Sequence, residues 1–295
     1  MPELPEVETI VADLRKPLTG LCLVDFGLLH PLRGQLRPQI NLSAKVFKTR
    51  IVGQKVITIK RRAKLLVFEL DKDILLIHLK MTGQLVLESC KNDNCSIIVG
   101  GHPIVNVSQD LPNKFTRAVL TFSDDSKLYF NDVRRFGWLR LIGPGEWVLE
   151  EAKLGLEPFD RKFTVDFLAK MLARKPKSTV KQTILEQKYL VGVGNIYADE
   201  ALFIAKVKPL RLAKSLTIKE VQKLHQAIIK ILRQGIKYRG TSFSDYRDAS
   251  GKKGNFLPFL RVYGRAKLPC KICGQPISKT KIGGRGTHWC NLCQM

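Results

Sequence analysis

Four cysteines near the C-terminus place the tightest limit on how this chain can fold: Cys270-x2-Cys273, sixteen residues, then Cys290-x2-Cys293. Each CxxC presents two thiolates from one tight turn, and a hairpin joining two such turns completes a tetrahedron around a single Zn2+. A segment of about 30 residues holds too little apolar surface to fold without such a staple. All four positions are filled, leaving none for a water, so the predicted zinc is structural. Disulfides or unrelated free thiols are the competing readings. Between the two knuckles, KTKIGGRGTHW has a Gly-Gly-Arg-Gly tip that permits close backbone approach and sets Arg285 at the end of the hairpin. Arg285 there either grips a phosphate or is simply solvated. His288 reads as packing on the hairpin, Cys22 as core, and Cys90 and Cys95 as ordinary loop thiols.

Upstream, the pattern divides the chain into a strand-rich first half and a helical second half. LLVFEL (65–70), ILLIHL (74–79), RAVLTF (117–122) and KLYF (127–130) are short apolar or alternating runs separated by polar turns. Several such strands in about 120 residues predict a sandwich or barrel-like β-domain. Residues 90–113 are polar and irregular and read as a long loop or insertion. From GPGEW (143–147) onward the period becomes helical. TIKEVQKLHQAIIKIL opens with a Thr217-x-x-Glu220 capping box and sets Val221, Leu224, Ile228 and Leu232 on one face. VGVGNIYADEALF (191–203) reads as a glycine turn feeding a helix from about Ile196, and residues 239–255 as a polar loop. The expected class is therefore α+β and multidomain: 1–142, 148–260 and 261–295.

The first residues, MPELPEVETI, pose a different question. Pro5, Glu6 and Glu8 suit a helix N-terminus, and Val7, Ile10, Val11 and Leu14 repeat at helical spacing. Pro2 and Glu3 are left over. Removal of Met1 before a proline would expose a secondary amine beside a carboxyl group, a pair suited to chemistry.

Fifty Lys and Arg against twenty-six Asp and Glu leave a net charge of +24. Such a field attracts a polyanion, and nucleic acid is the expected partner. From Arg261 to the end there are seven Lys and Arg and no acid. No apolar run is long enough to span a membrane, and no signal peptide is visible, so a soluble cytoplasmic protein without disulfides is expected.

MPELPEVET, RRAK (61–64), RRFG (134–137), VGVGNIYADEALF and the closing CNLCQ lie in an order that resembles the bacterial formamidopyrimidine-DNA glycosylase family, over the whole chain. The resemblance implies an N-terminal β-sandwich with an N-terminal helix, a helix-two-turn-helix domain and a C-terminal four-cysteine zinc hairpin. It implies a bifunctional enzyme that removes oxidised purines such as 8-oxoguanine and formamidopyrimidines from double-stranded DNA. In this reading Pro2 is the Schiff-base nucleophile and Glu3 the proton donor, with Glu6 supporting Pro2 or only capping the helix. Lys64 reaches the lesion phosphate and aids β-elimination, and Arg285 serves δ-elimination. An α-amine suits the role because it titrates near 8, far below a lysine. Arg61 and Arg62 read as general basic surface.

The same resemblance makes Met81, Arg134 and Phe136 the side chains that fill the gap left by an everted base. Alone, Met81 would read as core. Asn195 and the glycine turn before it face phosphate, Lys177 is a further DNA contact, and 239–255 closes over the base. No catalytic metal and no small-molecule cofactor is implied, and a monomer is expected. Two stretches depart from the family pattern: NKFTRAVL has Phe115 and Arg117 where imidazoles are usual, and Val133 replaces a proline. The rival readings are an endonuclease VIII-type glycosylase for oxidised pyrimidines, disfavoured by Leu4 and the Arg134/Phe136 pair, and a DNA-binding module without catalysis.

Overall fold

A computed structural model describes residues 1–29, 39–91, 94–102, 111–241 and 256–295. By internal contacts the chain forms two units, Met1–Glu151 with Tyr238–Asn255, and Ala152–Lys237 with Phe256–Met295. The first unit holds helices α1 (Leu4–Leu18), α2 (Ala44–Ile51) and α3 (Pro144–Ala152), the last ending one residue past the division. It also holds strands β1 (Leu23–Leu28), β2 (Val56–Arg62), β3 (Leu65–Leu70), β4 (Ile74–His78), β5 (Gly83–Lys91), β6 (Asn94–Gly101), β7 (Thr116–Phe122), β8 (Lys127–Asp132) and β9 (Trp138–Ile142). The second contains α4 (Val165–Ala173), α5 (Val180–Ile184), α6 (Asn195–Ile204), α7 (Ile218–Lys237), β10 (Ser278–Ile282) and β11 (Arg285–Trp289).

In the first unit a five-stranded sheet ordered β1-β7-β8-β5-β6 faces a four-stranded sheet ordered β2-β3-β4-β9, with all named pairs antiparallel. Alternate residues from both sheets, Phe68, Ile77, Leu87, Leu120, Phe130 and Leu139 among them, form the shared core. Helix α1 adds Val7, Ile10, Val11 and Leu14 to that core, the stripe its spacing predicted. It contacts β2 of one sheet and β6 of the other. Contact with β6 requires Gly100, where a Cβ would fall 2.5 Å from Ile10.

The stretch predicted as a loop from residue 90 is in part strand. Residues 90 and 91 finish β5, and β6 returns beside it with Cys90 opposite Cys95. Those two residues form a disulfide, not the free loop thiols expected. Register is the reason: antiparallel pairing brings the two Cα atoms to 4.0 Å, a relation that spacing along a polar segment does not reveal. Cys22 is half-buried at an isolated bridge to Lys55 and not in the core.

In the second unit α7 buries Val221, Leu224, Ile228, Ile231 and Leu232 against α6 and α4. Thr217 and Glu220 form the anticipated capping box, with Glu220 accepting from the Thr217 N–H at 2.8 Å. Strands β10 and β11 form a hairpin turned by Gly283 and Gly284, both at positive φ. Among the described residues no helix is long and apolar enough to cross a membrane.

Candidate functional site

The start of α1 is a heavily constrained polar centre of the first unit. Glu3 is the N-cap residue and is only 3% exposed. Its N–H donates to Glu6 Oε2 at 2.9 Å, and its side chain accepts from the Glu6 backbone, a capping box built of two glutamates. Glu6 does more than cap: its Oε1 accepts the backbone N–H of Thr241 at 2.8 Å and the hydroxyl at 3.0 Å. Gly240, at φ +82°, lies so close that a Cβ would be 2.8 Å from the Glu6 side chain. With Arg239 paired to Asp13 at 2.6 Å, residues 239–241 are clamped to α1. The rest of the expected base-covering loop, 242–255, lies outside the described residues.

Lys64 enters from the two-residue β2–β3 turn, where Ala63 takes φ +56°, and is 6% exposed. The α-amine of Met1, the residue before Pro2, is held below its usual range, chiefly by burial, with the Lys64 charge adding to the fall and Glu3 and Glu6 opposing it. The structure thus gathers Glu3, Glu6 and Lys64 around the start of the chain. Arg61 and Arg62 are not the basic surface expected of them. Arg61 is largely buried and pairs with Glu8 of α1 at 2.7 Å, and Arg62 pairs with Glu151 of α3 at 3.0 Å.

His78, which sequence reasoning passed over, lies within the field of Lys64 and Lys80. Its Nδ1 accepts the Lys80 N–H at 2.9 Å. Burial first, then the two lysines, lower its pKa to about 3. An unfolded histidine titrates near 6.5, so between those values the unfolded chain binds a proton that the folded one refuses. Stability is intact above pH 6.5 and is lost as pH falls below it, at about 1.4 kcal/mol per unit. Unfolding free energies of the DNA-free protein from urea titrations at pH 7.5 and 5.0 are expected to differ by about 2 kcal/mol more than those of His78→Gln.

The second cluster is Met81, Arg134 and Phe136. The Arg134 guanidinium lies 4.7 Å from the Phe136 ring centre, and its Nη1 is 3.3 Å from Met81 Sδ. Met81 is 46% exposed and Phe136 51%, so three side chains with large apolar or planar faces project together from a rigid base. That base is Asp132, fully buried, which accepts the Thr82 hydroxyl and the backbone N–H groups of Arg134 at 3.2 Å and Gly137 at 2.7 Å. A cleft of about 830 Å³ opens beside them, its lining including Met81, Phe136, Trp138 and Arg140. At the departure from the family pattern, Arg117 is buried and donates to the carbonyls of Asp132 and Lys114, each at 3.0 Å. A guanidinium braces the main chain there.

In the second unit the glycine turn before α6 is held by Gln187, which accepts from the Gly192 N–H at 3.0 Å and donates to the Val193 carbonyl at 2.8 Å. Helix α6 begins at Asn195, whose Nδ2 donates to the Gly286 carbonyl at 2.9 Å. That bond places Asn195 beside exposed Arg285 at the hairpin tip. Lys177 is exposed in the turn before α5.

Three residues absent from the sequence reading join the hairpin to α6. Lys181, 0% exposed, pairs with Asp199 at 2.6 Å and donates to Thr287 Oγ1 at 2.9 Å and the Gly286 carbonyl at 3.1 Å. Asp199 also accepts the His288 N–H at 2.9 Å. Glu200 accepts the N–H groups of Arg261, Val262 and Tyr263 at 2.8–3.0 Å; burial raises its pKa and those bonds oppose the rise. Two acids inside ADEALF, a run wholly buried in α6, were the available signal.

The four Sγ atoms of Cys270, Cys273, Cys290 and Cys293 lie within 4.8 Å of one another, with cross-knuckle pairs at 3.9 and 3.4 Å. A tetrahedral ion at about 2.3 Å from each sulfur would set them about 3.8 Å apart, so the donor set fits zinc.

Comparison with known proteins follows the same order along the chain. Residues 1–139 match the formamidopyrimidine-DNA glycosylase N-terminal domain, 154–247 the formamidopyrimidine-DNA glycosylase H2TH domain, and 267–294 the zinc finger found in FPG and IleRS. The formamidopyrimidine-DNA glycosylase of Desulforamulus reducens is 38% identical over 301 residues, covering 100% of this chain and 99% of the relative. That of Halalkalibacterium halodurans is 38% identical with both chains fully covered. Among solved structures, the complex of wild-type Lactococcus lactis Fpg with DNA containing N7-benzyl-Fapy-dG is similar at a TM-score of 0.83, with 32% identity and full coverage of both chains. Another, of wild-type L. lactis Fpg with an oxidised-pyrimidine-containing DNA, has a TM-score of 0.82 and 32% identity, again with both chains fully covered.

Proposed function

The chain belongs to the formamidopyrimidine-DNA glycosylase family, and on that premise we propose that it excises oxidised purines from duplex DNA through Pro2 and then cuts the abasic strand by β,δ-elimination. It is a DNA glycosylase with a zinc-finger module. The finer reading is carried by one observation: two buried side chains of opposite charge, Glu3 and Lys64, act on the amine at the start of the chain, which is that of Met1 and is held below its usual range.

Once Met1 is removed, the secondary amine of Pro2 attacks C1′ of the lesion nucleotide and the glycosidic bond breaks. Glu3 delivers one proton, to the sugar-ring oxygen as its bond to C1′ opens, and the N–H proton given up by Pro2 neutralises the departing base, leaving an iminium between nitrogen and C1′. Loss of a C2′ proton then expels the 3′ phosphate, and a second elimination expels the 5′ phosphate. Lys64 and Arg285 offset the charge on those phosphates. Met81, Arg134 and Phe136 fill the space of the everted base, while Asn195, the amides opening α6, and Lys177 hold the backbone. We assign catalysis to 1–142, duplex binding to 148–260 and the hairpin to 261–295, in a cytoplasmic monomer acting on damaged double-stranded DNA.

Borohydride reduction on an 8-oxoguanine duplex tests this. The processed protein should form one covalent adduct, mapped by mass to Pro2, whereas protein retaining Met1 should form none. An adduct on a lysine, or none with processed protein, would reject the nucleophile. Since an L. lactis relative has been solved with DNA containing an oxidised pyrimidine, excision of thymine glycol is compared with 8-oxoguanine opposite cytosine. Preference for the pyrimidine would move the chain to the endonuclease VIII-type reading.

A further inference from the structure

The net charge is divided unequally between the two units. Ala152–Lys237 with Phe256–Met295 carries 25 Lys and Arg against seven Asp and Glu, or +18 of the total +24. Of the seven acids, Asp199 and Glu200 are buried, Glu186 is paired with Lys175, and Glu220 with Arg211. The groups already assigned to DNA, Asn195, Lys177 and Arg285, use a small part of this excess.

Another part lies on α7. Its buried face packs on α6 and α4, and its opposite face exposes Lys219, Gln222, Lys223, Gln226, Lys230 and Arg233. The four cations span about 21 Å of helix at 1.5 Å per residue; the one acid in that span, Glu220, lies beside the row and is engaged by Arg211 and the Thr217 cap. Lys219 and Lys223 are four residues apart and Lys230 and Arg233 three, so each pair is a like-charge neighbour that disfavours the helix. A face selected only for solubility would alternate signs and gain from the same spacings. This stripe points away from α6, the helix that carries Asn195 and holds the hairpin.

We propose that the exposed face of α7 binds the phosphate backbone of a second DNA duplex while the lesion-bearing duplex occupies the site described above; the inference rests on the glycosylase reading for its first duplex. Charge complementarity commits it to duplex DNA: the cations form a single-sign row, the polar residues between them are glutamines, and an enzyme that searches DNA meets neighbouring segments at high local concentration. Its consequence is direct transfer between segments without release into solution.

The test is Lys219→Glu/Lys223→Glu/Lys230→Glu, which preserves helix propensity and places one acid, at 219, in the first turn where it is favourable; a thermal melt confirms folding. Protein loaded on an immobilised duplex is challenged with a labelled undamaged duplex. Wild type should retain the label, with retention falling steeply as salt rises, and the triple variant should retain at least about tenfold less, in line with about three lost phosphate contacts. Single-turnover cutting of a short lesion duplex should be unchanged. Equal retention by variant and wild type overturns the proposal, as does retention of anionic phospholipid vesicles but not DNA. Failure of the glycosylase reading is distinguishable, since it shows as wild type that does not cut the lesion duplex, and bridging is scored on bound protein whether or not it cuts.

Discussion

Glu3→Gln is expected to slow release of 8-oxoguanine by about two to four orders of magnitude, the usual worth of a positioned general acid. Cleavage of a duplex that already contains an abasic site is expected to stay within about tenfold of wild type, because no base has to leave. The split follows from the geometry. Glu3 caps α1 by accepting the Glu6 backbone N–H, a bond that a glutamine carbonyl oxygen can replace, so the helix start and the position of the amine are retained. What glutamine cannot do is surrender a proton. Single-turnover assays on the two substrates measure the two steps separately, and parallel losses on both would make Glu3 a structural residue.

Removal of the zinc is expected to have the second large effect. The four thiolates are the centre of a small cluster with Phe203, Val262 and Ile277, so the metal supports the contact with α6 as well as the hairpin. Structural zinc of this type contributes about 10–16 kcal/mol to the folded module. Without it the hairpin releases its grip on Lys181, Asp199 and Asn195, leaving a lysine and an aspartate buried without their closing partners. Chelation, or Cys290→Ser, is expected to lower affinity for a lesion duplex by about 10³-fold or more, towards the non-specific level, while β1–β9 keep their melting transition. Fluorescence anisotropy follows binding, and a chromogenic chelator counts the metal released. Unchanged affinity in metal-free protein would separate the hairpin from DNA binding.

The departures from the family pattern also have a physical meaning. Where imidazoles are usual, Arg117 directs its guanidinium to the carbonyls of Asp132 and Lys114. It therefore stiffens the chain that leads into Arg134 and Phe136. Val133, in place of proline, is exposed, while the backbone beside it is held by Asp132. The loop keeps its anchor without the ring that would otherwise restrict it.

Features governed by neighbours a few residues away were determined by the sequence alone. Alternating runs predicted β3, β4, β7 and β8 to within a residue or two, the apolar stripe predicted α1, Thr217 and Glu220 predicted the start of α7, and the CxxC pairs predicted a four-thiolate centre. Tertiary structure alone decided which charges lost their water. Lys181 and Asp199 form a buried pair completed by residues about a hundred positions further on, Glu200 is satisfied by Arg261 to Tyr263, and Arg61 and Arg62 are drawn into ion pairs. It also decided that Cys90 faces Cys95. Helical period, strand alternation and knuckle spacing follow from the order of residue types along one segment, whereas desolvation and strand register depend on which other segment is brought alongside and in what alignment.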